Sequence, residues 1–262
     1  MIERQDSDAD LQNFRYDRGM DERELLIRDI TIDWNEIDQD SYLREIPSLK
    51  DLKEISFHRP VTIFTGENGS GKSTLLEAIA VAYGFNPEGG TRNYSFSTYD
   101  SHSSLSNALT LSKNNKNRGW GYFLRAESFY NVATKEEEYS KNSRRGSMNY
   151  HKRSHGESFL ALAQETFSSL GLYLLDEPEA ALSPQRQMTL LLEIMESVKK
   201  GSQFIIATHS PVLSALPDAE ILSFDGPLHT CSYEDTDSYK ITKMFVNDRE
   251  RILKHLLDDP DA

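Results

Sequence analysis

The stretch VTIFTGENGSGKSTLLEAIAVAY, residues 61–83, constrains the chain more than any other. A run of strand-forming residues leads straight into GxxxxGK[ST] at 66–73, and a mostly apolar helical segment comes directly after it, closed by Gly84. Gly66, Gly69 and Gly71 permit a tight turn whose amides, with the helix N-terminus behind them, can cradle phosphates. Lys72 then reaches β and γ phosphates, and the Ser73 hydroxyl can hold Mg²⁺. A glycine-rich turn that merely caps a helix has no need of lysine and serine in that order. The spacing predicts a nucleotide site over Gly66, Glu67, Asn68, Gly69, Ser70, Gly71, Lys72, Ser73 and Thr74.

A second stretch, LYLLDEPEAALSP at 172–184, sets two adjacent acids where an apolar strand ends. Like charges so placed repel, which points to a cation between them and a ligand. A phosphate-binding loop of this type needs a strand-end aspartate near its Mg²⁺ and a residue that positions the attacking water. Asp176 suits the first role and Glu177, as general base, the second.

Alternating segments around these motifs predict an α/β chain. ELLIRDITIDW (24–34), VTIFT (61–65) and GYFLRAE (121–127) have strand patterns, while the Ser-, Asn- and Gly-rich stretch from Asn86 to Arg118 predicts loops and edge strands. LYLL (172–175) and QFIIA (203–207) are continuous apolar runs of the kind found in parallel strands covered on both faces. Between them lies one helix with Ser183 as N-cap, Pro184 at its first position, Met188, Leu191, Leu192, Met195 and Val198 at helical spacing, and Gly201 beyond its last lysines. The result is a right-handed strand-helix-strand crossover.

Composition bounds the rest. A chain of 262 residues without internal repeats or a Gly/Ser linker suits one large domain, with about the first 20 residues as a flexible tail. No apolar run approaches the roughly 18 residues needed to span a bilayer, and the opening MIERQDSDAD is too polar for a signal peptide. With the single Cys231 excluding an intrachain disulfide framework, these features predict a cytoplasmic protein without a membrane partner. The net charge of −13 argues against a protein coated in nucleic acid, but the basic stretch KNSRRGSMNYHKR, 141–153, leaves room for a local groove.

GENGSGKST, SHGES, LLDEP and ATHS, in this order, resemble the Walker A, signature, Walker B and switch-histidine motifs of ABC-type ATPases. Within that group the chain is similar to the soluble SMC/RecF-like branch, and most of all to small stand-alone bacterial ATPases often called AAA family ATPases. The resemblance runs from about Asp29 to Leu257. It implies the P-loop NTPase fold of the ABC-ATPase type: a mainly parallel core sheet flanked by helices, with an antiparallel N-terminal β subdomain. It also implies a homodimer that sandwiches ATP, in which Ser154 and Gly156 of one subunit meet the γ phosphate held by the other, while Glu157, the third signature residue in trans, matches the acid of the SMC-like version. Here His155 stands where the family has a second glycine, and Arg153 where it has an apolar residue. Glu157 opens a helix with Phe159, Leu162, Ala163 and Phe167 on one face. His209 takes the place of the histidine that touches the γ phosphate and the attacking water. Glu127 stands where the family's Q-loop has glutamine, which makes it a third candidate for Mg²⁺ after Ser73 and Asp176. An adenine-stacking aromatic is not marked, although Tyr42 and Phe57 lie upstream of the loop.

Only about 27 residues separate Glu127 from Ser154, too few for the long coiled coil of SMC proteins and too short and polar for the helical subdomain of transporter ATPases. The predicted protein is a head without arms: a Mg²⁺-dependent ATPase whose ATP-induced dimer drives or gates a partner. The alternative is an ATP-gated clamp on DNA or protein in which hydrolysis only resets binding. A small-molecule kinase would share the loop but leaves LLDEP and ATHS unexplained.

Overall fold

Apolar runs become strands and capped segments become helices in the computed structural model, which describes residues 24–91, 104–114, 120–127, 155–167 and 170–258. The expected N-terminal tail, the basic stretch 141–153 and Ser154 lie outside the described residues. In chain order the elements are β1 (Ile27–Ile32), β2 (Glu54–Ser56), β3 (Val61–Thr65), α1 (Lys72–Tyr83), α2 (Leu105–Ala108), β4 (Leu109–Lys113), β5 (Trp120–Arg125), α3 (His155–Thr166), β6 (Gly171–Asp176), α4 (Pro184–Lys199), β7 (Gln203–Ala207), β8 (Glu220–Ser223), β9 (His229–Thr230), α5 (Asp237–Asn247) and α6 (Arg249–Asp258).

Two sheets result. A six-stranded sheet runs β5-β6-β7-β3-β8-β9 and is parallel except for β9, and a three-stranded antiparallel sheet runs β2-β1-β4. The latter is the antiparallel N-terminal subdomain expected from the resemblance, and β4 is one of the edge strands expected between Asn86 and Arg118. β1 is shorter than its apolar pattern. Asp33 stops it by accepting from the Asn35 amide at 3.0 Å, which opens a 3-10 turn at Trp34–Glu36.

Because successive side chains of a strand point to opposite faces, each central strand feeds two cores. Leu172, Leu174, Ile205 and Phe64 pack with α1 and the small sheet, while Tyr173, Leu175, Phe204, Ile206 and Ile63 pack with α3 and α4. Burial on both faces explains the unbroken apolar runs of β6 and β7. The small sheet is stitched on by buried Gln203, whose Oε1 accepts from the Ile27 amide and whose Nε2 donates to the Ile27 carbonyl, both at 2.9 Å.

α3 buries Phe159, Leu162, Ala163 and Phe167, as its spacing requires. α4 begins with the expected cap, Ser183 accepting from the Arg186 amide, and buries Met195 and Val198 of the expected stripe, with Leu191 half-buried against the same core. Leu190 and Ile194 are buried as well, whereas Met188 and Leu192 are exposed. The spacing marks the apolar side of the helix, and the position of the sheet decides which edge of that side is covered. α5 and α6 bury no residue. No described helix is long and apolar enough to cross a membrane.

Candidate functional site

Adjacent parallel strands β6, β7 and β3 end side by side, with Asp176 and Phe64 both registered against Ala207. The residues just beyond each strand are therefore brought to one edge, where ligands of open α/β sheets bind. From β3 come the loop 66–71 and the N-terminus of α1, from β6 Asp176 and Glu177, and from β7 His209. The residues from 66 to 74, Asp176, Glu177 and His209 are thus assembled as expected, although they are far apart in sequence.

The loop depends on its glycines. Gly71 caps α1 at φ 101°, in the left-handed region, and a Cβ there would sit 2.9 Å from the Ile46 side chain and 3.1 Å from the Ser48 hydroxyl. Lys72 is buried, and its ammonium donates to the carbonyls of Gly66 and Glu67, each at 2.8 Å. Burial lowers its pKa, while Glu177, Asp225 and Asp176 oppose that by favouring the charged form. Beside the loop lies a cavity of about 270 Å³ lined by Tyr42, Asn68, Lys72, Ser73 and Glu177 among others. Of the two upstream aromatics, Tyr42 stands exposed at this cavity, whereas Phe57 is buried in the core.

Ser73 Oγ donates to Asp176 Oδ1 at 2.7 Å. A hydroxyl and a carboxylate sharing one spot form an oxygen donor set that fits a hard cation such as Mg²⁺, and Ser73 and Asp176 would hold it beside the phosphates. Asp176 is buried, which raises its pKa; Arg125, with Nε 3.3 Å from Oδ2, and the Ser73 hydrogen bond pull it back down. Glu127 is exposed after β5 and bears on Asp176 by charge, pushing its pKa up. The side chain that touches Asp176 from that strand is Arg125, which also pairs with Glu77 of α1 at 2.5 Å.

Glu177 has left-handed backbone angles, φ 48° and ψ 50°, and its Oε1 lies 3.5 Å from His209 Nε2. That separation is within reach of an ion pair, but His209 Nε2 is buried and has no hydrogen-bond partner among the described residues. The His209 backbone amide donates to Glu179 Oε1 at 2.5 Å.

Of the signature residues, Ser154 lies outside the described residues. Gly156 is buried, and a Cβ on it would fall 2.7 Å from Arg186 Nη1 and 2.9 Å from the Ala181 carbonyl. Glu157 pairs with Arg186 Nη2 at 3.1 Å. Glycine at 156 thus already has a reason within its own chain: it lets α3 start against the segment just beyond β6.

Sequence reasoning missed Arg125, Glu179 and Asp225. Asp225, just after β8, accepts from the Glu67 amide at 2.7 Å and so braces the phosphate loop. Only the order of strands makes these residues neighbours. The one sequence signal was position, since each lies at or just beyond a strand end.

A phosphate loop, a strand-end aspartate on its serine and a histidine facing the next acid, all at one edge of a mainly parallel sheet, make up a nucleotide site of the P-loop class. The chain belongs to the AAA domain family, which matches residues 42–204. Among curated proteins none matches the chain in sequence. Among solved structures it is similar to the SMC head domain from Thermotoga maritima, at 16% identity over 79% of this chain and 100% of that one, with a TM-score of 0.45. It is also similar to an SMC head bound to the C-terminal winged-helix domain of ScpA, at 16% identity over 69% and 93% of the two chains with a TM-score of 0.40. A nucleotide-free ATP-binding cassette from an ABC transporter is 18% identical over 79% and 88%, with a TM-score of 0.38.

Proposed function

We propose that this chain is a single ATPase domain that binds ATP with Mg²⁺ at residues 66–74, hydrolyses it, and forms an ATP-sandwiched homodimer that drives or gates a partner. The observation that carries this reading is the Ser73–Asp176 hydrogen bond at 2.7 Å with Glu177 and His209 beside it. Bound Mg²⁺ would neutralise phosphate charge, with Ser73 and Asp176 as its ligands and Glu127 as a further candidate. Lys72 exchanges its loop carbonyls for phosphate oxygens. Glu177 accepts the proton of the attacking water, and His209 orients the water and the γ phosphate. Tyr42 is the aromatic placed to stack on adenine. Ser154, Gly156 and Glu157 complete the partner subunit's site, with the start of α3 directed at its γ phosphate.

The test measures ATP turnover against protein concentration, with and without duplex and single-stranded DNA. Turnover per subunit should rise with concentration, because each site needs a second copy. Glu177→Gln should keep ATP bound while lowering kcat by roughly 10²- to 10⁴-fold, and should sediment as a dimer with saturating Mg·ATP. Only monomer under those conditions, in wild type and variant alike, rejects the sandwich. Stimulation by DNA that disappears at high salt would favour the DNA clamp instead.

A further inference from the structure

We propose that Glu179 is a positioning residue: its carboxylate clamps the backbone of His209 and so aims the imidazole at the γ-phosphate end of the site, beside Glu177. The assignment rests on the ATPase reading above and adds to it a residue that the motifs do not mark. Its basis is geometric. β7 ends at Ala207, and the Thr208 amide still finds the Phe64 carbonyl at 3.1 Å. His209 has the first amide beyond the ladder, and Glu179 Oε1 takes its hydrogen bond at 2.5 Å. Hydrogen bonds to a charged acceptor are about twice as strong as neutral ones, so this contact fixes the peptide plane from which the histidine side chain departs.

One turn delivers two carboxylates to one histidine. Glu177 adopts the left-handed conformation, which costs a residue with a Cβ roughly 1 kcal/mol or more. That reversal sets Pro178–Ala181 into a 3-10 turn and brings Glu179 back under β7. Glu177 then meets the imidazole, 3.5 Å from Nε2, and Glu179 meets the amide. Glu179 Oε2 is buried and has no hydrogen-bond partner among the described residues.

The neighbours of His209 are held by other means. Thr208 is kept by β3, and Ser210 Oγ donates to Gln187 Oε1 at 2.6 Å. Removing the Glu179 carboxylate therefore frees His209 while the loop stays in place. A misplacement of about 1 Å at such a group can cost on the order of 10²-fold in rate.

Two measurements decide. In steady-state hydrolysis, Glu179→Ala should lower kcat by about 10- to 100-fold with KM for ATP within about threefold of wild type, since Lys72 and Ser73 still bind the phosphates. Glu179→Gln keeps an acceptor oxygen and should return kcat to within about threefold of wild type. A kcat for Glu179→Ala equal to wild type, or an equal loss in both variants, overturns the clamp. The second measurement needs no turnover: amide exchange in protein labelled with ¹⁵N-histidine, which carries seven histidines. The His209 amide should be protected in wild type and Glu179→Gln and should exchange freely in Glu179→Ala. Unchanged protection in Glu179→Ala overturns the proposal. If wild type turns over no ATP at any concentration, the ATPase reading fails and the exchange result alone decides whether Glu179 holds His209.

Discussion

Arg125 shows how a single side chain sets the state of the site. It sits in β5 in register with Asp176 of β6, so its guanidinium reaches both that carboxylate and Glu77. Burial pushes the Asp176 carboxyl above its ordinary value, and Arg125 is the largest influence in the other direction. Arg125→Gln removes that influence, and Asp176 should then protonate at a higher pH. The acid limb of kcat/KM should accordingly move to higher pH, because in the proposed reaction Asp176 must be ionised to hold a cation. The variant's loss of stability in denaturant unfolding should be present at neutral pH and recede on acidification, because a raised folded-state pKa means that the folded protein binds the proton more tightly than the unfolded chain does. A loss of stability independent of pH would show that Arg125 acts through packing or through Glu77 alone.

At the scale of elements, a few buried polar contacts decide how the pieces join. Gln203 is the clearest, because both ends of its amide close on the backbone of Ile27 and hold the small sheet to β7. Gln203→Leu keeps the apolar character of the strand but strands one buried N–H and one buried C=O. Leaving such groups unpaired costs about 1–3 kcal/mol each, so a loss of roughly 2–6 kcal/mol is expected in urea unfolding. A loss below about 0.5 kcal/mol would mean that the small sheet is held by its apolar contacts alone. β3, α1, β6 and β7 were legible in the sequence because their signals are local: a helix-closing glycine, an N-cap with proline after it, and apolar runs bounded by turns. The buried face of α4 was legible only in part. Met195 and Val198 are buried as their spacing requires, but Met188 and Leu192 are exposed and Leu190 and Ile194 are covered in their place, because the sheet lies toward one edge of the apolar side.

At the scale of the whole molecule, the sheet edge that carries the candidate site and helices α5 and α6 are built differently. The six-stranded sheet carries two cores, one on each face, and the site's strands run through both. α5 and α6 bury no residue and leave Ile241, Val246, Leu256 and Leu257 exposed. Most helical stability in proteins comes from a packed face, and these helices contribute little of that to the core. Ending the chain after Thr236 should therefore shift the thermal midpoint by no more than about 2 °C and leave ATP binding unchanged. A drop of about 8 °C or more would show that the two helices are part of the folding unit.

The sequence by itself determined the phosphate loop, the acids after β6 and the histidine after β7, because each is written in residues next to one another and in the strand or helix that carries them. The alternation of elements also pointed to an α/β fold with a parallel core. Tertiary structure alone decided which strand ends are neighbours. The order β5-β6-β7-β3-β8 places Arg125 on Asp176, and Asp225 against the phosphate loop. The left-handed turn at Glu177 folds Glu179 back onto His209 across 30 residues of chain. Local pattern reports what a segment becomes, since propensity and capping act within a few residues; contacts between strand ends depend on sheet order, which is set by the packing of the whole core.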